Sequence, residues 1–267
     1  MPEGHTLHRI ARRHDGLFSG AAVRASSPQG RFTEGAALLD GRHLEVVVAH
    51  GKHLFYHWRD APALYVHLGL VGKFRTWSRR DPPPPTSGTR LVLFNDDATA
   101  YLAGPMSCRL LEPGEADTIL GGLGPDPIAS RRGRRTFAER LGRKRVPIAA
   151  ALLDQSVIAG IGNVYRAELL FLLGVHPETP ANRLDPETVD ALWDATVDEL
   201  RRGVELGRIV TVRPREIGAR SRAQLSRDEA VYVYKRDGLP CRRCGTEIRT
   251  ADIGARRTWW CPSCQTR

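Results

Sequence analysis

Cys241-Arg-Arg-Cys244-Gly-Thr-Glu-Ile-Arg-Thr-Ala-Asp-Ile-Gly-Ala-Arg-Arg-Thr-Trp-Trp-Cys261-Pro-Ser-Cys264 is the stretch from which the rest of the chain is best read. Two Cys-x-x-Cys pairs stand sixteen residues apart. Four thiolates so arranged make a closed tetrahedral site for one structural zinc ion. Disulfides are the competing reading, but they suit an oxidising compartment, and the first twenty residues are too charged for a signal peptide. With all four positions filled by protein, such a metal holds a β-hairpin and does no chemistry. Arg249, Arg256 and Arg257 lie between the pairs, so the hairpin presents arginines on a rigid support. The fifth cysteine, Cys108, stands apart and reads as a buried or free thiol.

Charge extends this reading outward. The 267 residues carry a net charge of +10. From Arg201 to Arg267 there are sixteen Lys and Arg against seven Asp and Glu, while the first two hundred residues are close to neutral. A basic final quarter is the footprint of phosphate-backbone binding, which ribosome binders and basic tails share. Forty residues are basic but four are lysines, Lys52, Lys73, Lys144 and Lys235, the ones able to give up a proton readily. No apolar run approaches a membrane span, so a cytoplasmic protein is expected. No seam for self-association is visible, so a monomer is expected.

Upstream of the finger the pattern is helical. Ile148–Gln155 reads as a short helix, Ala159-Gly-Ile-Gly162 as a tight turn, and Asn163–Leu173 as a second helix stopped by Gly174. A Gly-x-Gly turn entering a helix exposes N–H groups where the dipole favours an anion, and Asn163 adds a side-chain donor. By itself such a turn serves packing more often than binding. Asp185-Pro-Glu-Thr188 caps a third helix, with Val189, Leu192, Trp193, Val197, Leu200 and Val204 on one face and Gly207 at its end. Residues 131–145 hold eight basic residues, either a solvated linker or a phosphate contact.

The first 115 residues or so are β-rich behind an amphipathic helix over 3–15, whose Leu7, Ile10, Ala11 and His14 share a face. Strands are expected at Leu44–Ala49, Leu54–Trp58, Leu64–Leu68, Arg90–Phe94, Thr99–Leu102 and Ser107–Leu111, with a surface loop at Pro82–Pro85. At the start, Met1-Pro2-Glu3 allows removal of Met1, which leaves Pro2 with a free secondary amine. A free α-amine has a pKa near ~8, so much of it is unprotonated at neutral pH and able to form a Schiff base. Glu3 beside it is a candidate proton donor. Gly51-Lys52-His53 places a lysine in a turn before a strand, a position that is usually solvent-exposed decoration.

Met1-Pro-Glu-Gly, Gly51-Lys-His-Leu, Asp154-Gln through Gly160-Ile-Gly-Asn-Val-Tyr165 and the terminal finger occur in this order. That set resembles the formamidopyrimidine-DNA glycosylase/endonuclease VIII family of base-excision repair enzymes, along the whole chain. The resemblance implies an α+β fold: an N-terminal β-sandwich with a leading helix, then a helix–two-turn–helix domain with a zinc-finger β-hairpin. The boundaries expected are 1–115 for the sandwich, 116–135 for a hinge, 136–230 for the helical domain and 231–267 for the finger. Damaged DNA is the implied partner, Cys241, Cys244, Cys261 and Cys264 the implied ligands of one Zn2+. Pro2 would be the nucleophile and Glu3 the acid/base. Lys52 would assist proton transfer and hold a phosphate. Asn163 and a finger arginine would grip the backbone, the arginine also serving δ-elimination. Counting back from Cys261 puts that arginine at Arg256, with Arg257 the alternative. Tyr234 and Lys235 are lesser phosphate candidates. His67-Leu-Gly-Leu-Val-Gly72 resembles the family's intercalating loop, making Leu70 a wedge for the gap left by a flipped base, unless it is a strand core residue, and His67 a backbone contact.

Departures from the family pattern sort its branches. Thr6 stands where formamidopyrimidine glycosylases have a second glutamate. Their Arg-Arg-Phe-Gly segment is absent near Ala100–Pro105, and their Gly-Gly-Thr loop is absent around Val212–Arg227. These absences favour the endonuclease VIII branch and oxidised pyrimidines, although Gly69 replaces that branch's wedge glutamine. The alternatives are an 8-oxoguanine/formamidopyrimidine glycosylase, an RNA- or ribosome-associated module, and a zinc-ribbon nucleic-acid-binding protein without catalysis, which has no need of Pro2, Glu3 or Lys52.

Overall fold

The computed structural model describes residues 2–78 and 82–266, and Met1 lies outside them. The chain divides into two compact units, Met1–Gly122 and Leu123–Arg267. Among the described residues no helix is long and apolar enough to cross a membrane.

The first unit opens with helix α1, Gly4–Phe18. Leu7, Ala11, His14 and Phe18 recur at helical spacing and are buried, while Arg9, Arg12 and Arg13 face solvent. The helix outlasts the expected 3–15 by about a turn because Phe18 continues the apolar stripe. Glu3 is its N-cap residue, and the Ser19 N–H bonds back to Asp15 O at its end. There follow β1 (Ala21–Ser26), α2 (Thr33–Leu39), β2 (Arg42–His50), β3 (His53–Trp58) and β4 (Ala61–His67). Next come β5 (Lys73–Trp77), β6 (Thr89–Phe94), β7 (Thr99–Ala103), β8 (Ser107–Leu110) and α3 (Glu115–Gly121). The strands are antiparallel in the order β5-β7-β6-β1-β2-β3-β4-β8. Strand β1 belongs to both halves: Ala21–Val23 pair with β2 and Arg24–Ser26 with β6. Leu44, Leu54 and Val66 of one half share a single core with Leu91, Leu93 and Leu102 of the other, and with Leu7 and Phe18 of α1. The sheet therefore closes over itself as two layers on α1.

His14 pins the helix between those layers. Its Nδ1 lies 2.7 Å from Tyr56 Oη on β3, and its Nε2 2.9 Å from Thr76 Oγ1 on β5. The ring is wholly buried, and burial pushes its pKa down to about 3.

The second unit contains α4 (Arg134–Gly142), α5 (Ile148–Ala151), α6 (Asn163–Leu172), α7 (Pro186–Leu206), β9 (Arg249–Ile253) and β10 (Arg256–Trp260). Phe137, Leu141, Ile148, Leu169, Leu192 and Trp193 centre its helical core. The finger packs on the other side of α6, where Phe171 and Ala167 meet Tyr232, Ile248 and Trp259. The cap of α7 is as the sequence implies: Asp185 Oδ1 accepts from Thr188 N at 2.7 Å, and Gly207 takes φ +71°. Helix α5 is a single turn where Ile148–Gln155 was expected. Asp154 and Gln155 spend their side chains on the following loop, with Ser156 N on Asp154 Oδ1 and Gly160 N on Gln155 Oε1.

The neutral, buried His14 makes stability depend on pH. Its pKa is lower folded than unfolded, so below about 6.5 the unfolded chain takes up a proton that the folded chain refuses, and stability is lost as pH falls toward the folded value. The Tm should drop from pH 7 to pH 5, and His14→Gln should flatten that slope by up to about 1.4 kcal/mol per pH unit. Calorimetry of both proteins across this range is the check; parallel curves would exclude His14 as a source of the slope.

Candidate functional site

The first unit gathers one group of site residues at the head of α1 and another around the β2–β3 turn. Pro2 is half-buried and immediately precedes Glu3, which has no exposed surface. The Glu3 main-chain oxygen accepts from Thr6 N at 2.8 Å, and its carboxylate does not cap the helix. The positive end of α1 favours an anion there, and a neutral over a positively charged neighbour.

Lys52 occupies the second position of a two-residue hairpin loop. Gly51 precedes it at φ +56°, a conformation that favours glycine and gives the loop the II′ pattern matching strand twist. The register then lines up three histidines on neighbouring strands, with His50 opposite His53 and His53 opposite His67. His53 Nδ1 lies 2.7 Å from Tyr65 Oη, and the His53 and His67 rings are 5.1 Å apart. Burial, helped by the charges of His67, His50 and Lys52, pushes His53 down to about 4. Burial and then Lys52 lower His67, whose Nδ1 accepts from Gly69 N at 3.2 Å. Lys52 and His67 are thus brought together, and the lysine charge works against protonation of the His67 ring.

The loop after β4 carries Leu70, which is 59% exposed and so no core residue. Val71 (79%) and Met106 (71%) stand out likewise. Gly69 takes φ +66°, and a Cβ there would come within 2.9 Å of Met106 Cβ, so the two loops touch. Only Gly104, Pro105 and Met106 separate β7 from β8. Met106 was not anticipated as part of this apolar tip, because it comes from a loop distant in sequence.

In the second unit the Gly160-Ile161-Gly162 turn is clasped by Gln155. Its Nε2 donates to Leu153 O and Ile161 O, and its Oε1 accepts from Gly160 N, which follows a chain reversal at φ +98°. Asn163 then starts α6. Its Nδ2 donates to Arg257 O at 3.0 Å and its Oδ1 accepts from Arg166. One amide hydrogen of Asn163 is therefore committed to the finger hairpin and one remains. Arg166 is fully buried and also donates to Arg257 O at 2.7 Å, Ala149 O at 3.3 Å, and Ile253 O and Arg256 O at 3.4 Å. One guanidinium ties Asn163, α5 and the hairpin together. At the hairpin tip Gly254 and Ala255 both have positive φ, and a Cβ on Gly254 would sit 2.9 Å from Ala150 Cβ. Arg257 faces Asp252 at 3.7 Å; Arg256 is exposed and has no ion pair among the described residues.

Glu168, two residues along α6, is equally buried. It accepts from Thr211 Oγ1 at 2.5 Å, and from Tyr232 N, Val233 N and Tyr234 N at 2.7, 2.9 and 2.8 Å. Burial raises its pKa against those four donors. This fixes the segment that bears Tyr234 and Lys235. Lys235 holds φ +55°, its Nζ lies 5.8 Å from the Tyr234 ring centroid, and Tyr234 meets Trp259 edge-on at 4.8 Å. Arg166 and Glu168 escaped the sequence reading, though a signal existed: Val164–Phe171 is buried all round, so charges inside it need several hydrogen-bond partners each.

The four cysteine sulfurs lie within 4.8 Å of one another, the one such group among the described residues. Sulfur pairs at 3.4, 3.5 and 3.9 Å suit a tetrahedron with Zn–S near ~2.3 Å, whose edge is roughly 3.8 Å. Arg243 N and Cys264 N donate to Cys241 Sγ and Cys261 Sγ, as thiolates require. Cys241, Cys244, Cys261 and Cys264 fit one structural zinc ion.

Comparison with known proteins agrees with this geometry. Residues 1–104 match the formamidopyrimidine-DNA glycosylase N-terminal domain, 123–214 the H2TH domain of the same glycosylase, and 238–267 the zinc finger found in FPG and IleRS. Endonuclease 8 1 of Mycobacterium tuberculosis is 43% identical over the full length of both chains. The formamidopyrimidine-DNA glycosylase of Acidovorax sp. is 35% identical over 99% of each. The structure of wild-type Lactococcus lactis Fpg (MutM) in complex with DNA containing N7-benzyl-Fapy-dG superposes with a TM-score of 0.80 at 25% identity, over 100% of both chains.

If Arg166 carries the hairpin, Arg166→Met should release it without emptying the zinc site. Hydrogen exchange across Arg249–Trp260 should lose about 1.5–3 kcal/mol of protection, the scale of a charge-assisted bond. Metal content should stay at one zinc per chain. Unchanged protection would show that the finger stands without the guanidinium.

Proposed function

The chain belongs to the formamidopyrimidine-DNA glycosylase/endonuclease VIII family, and on that premise we propose that it is a bifunctional DNA glycosylase/AP lyase of base-excision repair, favouring oxidised pyrimidines. The observation that carries the catalytic reading is Glu3, a carboxylate withdrawn from solvent at the head of a helix, directly after a half-buried proline.

With Met1 removed, the Pro2 nitrogen attacks C1′ of the damaged nucleotide. The C1′–N bond forms as the glycosidic bond breaks, and the base leaves with its bonding electron pair and a proton. Glu3 supplies a proton to O4′ as the C1′–O4′ bond opens, giving an iminium at Pro2. Loss of a C2′ proton expels the 3′ phosphate, and loss of a C4′ proton then expels the 5′ phosphate. Lys52 holds a phosphate beside the lesion, and His67 supplies a hydrogen-bonding contact to the backbone. The remaining amide hydrogen of Asn163 and the guanidinium of Arg256 grip phosphates, Arg256 being preferred because Arg257 faces Asp252. Tyr234 and Lys235 extend this grip. Leu70, with Val71 and Met106, fills the space left by the extruded base. The zinc supplies rigidity to the finger.

Three features support the pyrimidine branch. Thr6 replaces the second glutamate, three residues join β7 to β8, and Arg208 and Arg222 tie residues 208–225 down through Arg222 O, Ala223 O, Leu225 O and Glu199. The 43% identity to Endonuclease 8 1 points the same way. The protein would act as a monomer in the cytoplasm, on the nucleoid.

Borohydride should trap the protein covalently on abasic DNA. Trapping should require intact masses lacking Met1, and equal trapping with Met1 retained would overturn Pro2 as nucleophile. Glu3→Gln should lose base excision by about 10²–10⁴-fold, the usual contribution of a positioned acid. It should still trap on a ready-made abasic site. Among duplexes bearing thymine glycol, 5-hydroxyuracil or 8-oxoguanine, the first two should be cleaved faster; preference for 8-oxoguanine opposite cytosine would reverse the branch.

A further inference from the structure

The outward face of β5 and β7 forms a second site of a different kind. Phe74 and Thr76 turn inward toward His14, so the alternation of the strand turns Lys73, Arg75 and Trp77 outward. The register places Tyr101 directly opposite Arg75. Pro83 and Pro84 form the facing wall of a groove of about 340 Å3. That is room for one nucleotide, at the small end of ligand pockets.

We propose that this groove binds single-stranded nucleic acid, with a base against Trp77 and Tyr101 and the adjoining phosphates on Lys73 and Arg75. The two rings meet edge-on at 4.8 Å and 61°, and both line the groove, so a base entering it packs against an aromatic wall. Sequence-tolerant single-strand platforms combine such aromatics with cations along the backbone path. Lys73 and Arg75 are exposed, stand on the same face about 7 Å apart along the strand, and form no ion pair among the described residues. The proline rings offer an apolar wall without N–H groups, which suits a flat base better than a peptide in need of backbone partners. Lys73 also follows Leu70 by three residues and pairs with Ala103, next to the loop of Met106, so the groove begins beside the apolar tip. The site adds a contact to the reading above without needing its Schiff base.

The test irradiates the intact protein with a thymidine tetranucleotide carrying one 5-iododeoxyuridine and maps the adduct by mass spectrometry. The adduct should fall on Trp77 or Tyr101. The Lys73→Ala/Arg75→Ala protein should form about tenfold less of it, while cleaving abasic duplex as the parent does. Trp77→Leu, checked for an unchanged Tm, should move or abolish the adduct. Adducts confined to other peptides, or an adduct at Trp77 indifferent to the double substitution, would overturn the proposal. So would protection of Trp77 by an acidic peptide but not by unlabelled tetranucleotide. An adduct at Trp77 in a protein that fails to trap on abasic DNA would leave the groove standing and remove the lyase.

Discussion

A single buried guanidinium governs the second unit. Arg166 projects from a helix whose buried side chains are mostly apolar, Glu168 apart, and removing such a charge from water is costly unless most of its donors are met. Its acceptors are Asn163 Oδ1 and the carbonyls of Ala149, Ile253, Arg256 and Arg257. Those carbonyls belong to a one-turn helix and a hairpin far apart in sequence. Satisfying the charge therefore fixes the hairpin's height and angle on α6. Glu168 repeats the device with opposite sign, gathering three successive N–H groups of the approach to the finger. One helix thus uses a cation to hold carbonyls and an anion to hold amides, and the finger is seated between them.

The zinc and the two charges divide the labour. Four thiolates fix the knuckles of the finger locally, but a metal cluster says nothing about where the finger sits. Its seating comes from Arg166, from Glu168, and from Arg243, whose guanidinium stands 4.9 Å from both the Phe171 and Tyr232 ring centroids. Stripping the metal and cutting the guanidinium contacts are therefore different injuries, one to the finger's interior and one to its mounting.

What could be read in the chain beforehand followed the range of the interactions. The four cysteines, the Gly160-Ile-Gly162 turn and the Asp185-Pro186 cap are local, and their residue types carry their geometry. Strand β1 was invisible because Ala21-Ala-Val-Arg-Ala-Ser26 has little alternation to show; its importance lies in pairing with two partners. Strand β5 does alternate, Phe74 and Thr76 against Lys73, Arg75 and Trp77, but its outward face gains meaning only when Tyr101 and the prolines arrive. Leu70 was ambiguous between core and surface until its exposure was known. His14 was legible as a buried helix position, but its bonds to Tyr56 and Thr76 span 42 and 62 residues. Arg166 and Glu168 were readable in principle from the apolar ring around them.

The shared strand β1 also sets an order of assembly. It cannot finish pairing until β6 has been made at Phe94, and β4 waits for β8 at Leu110. Helix α1 precedes every strand of the sheet in the chain and buries its apolar stripe only when both layers have formed around it. Non-local pairing of this kind is slow, and it leaves edges exposed while it waits. The head of α1 is thus made before the strands that shelter it, so it stands in the open while β1 to β8 are translated.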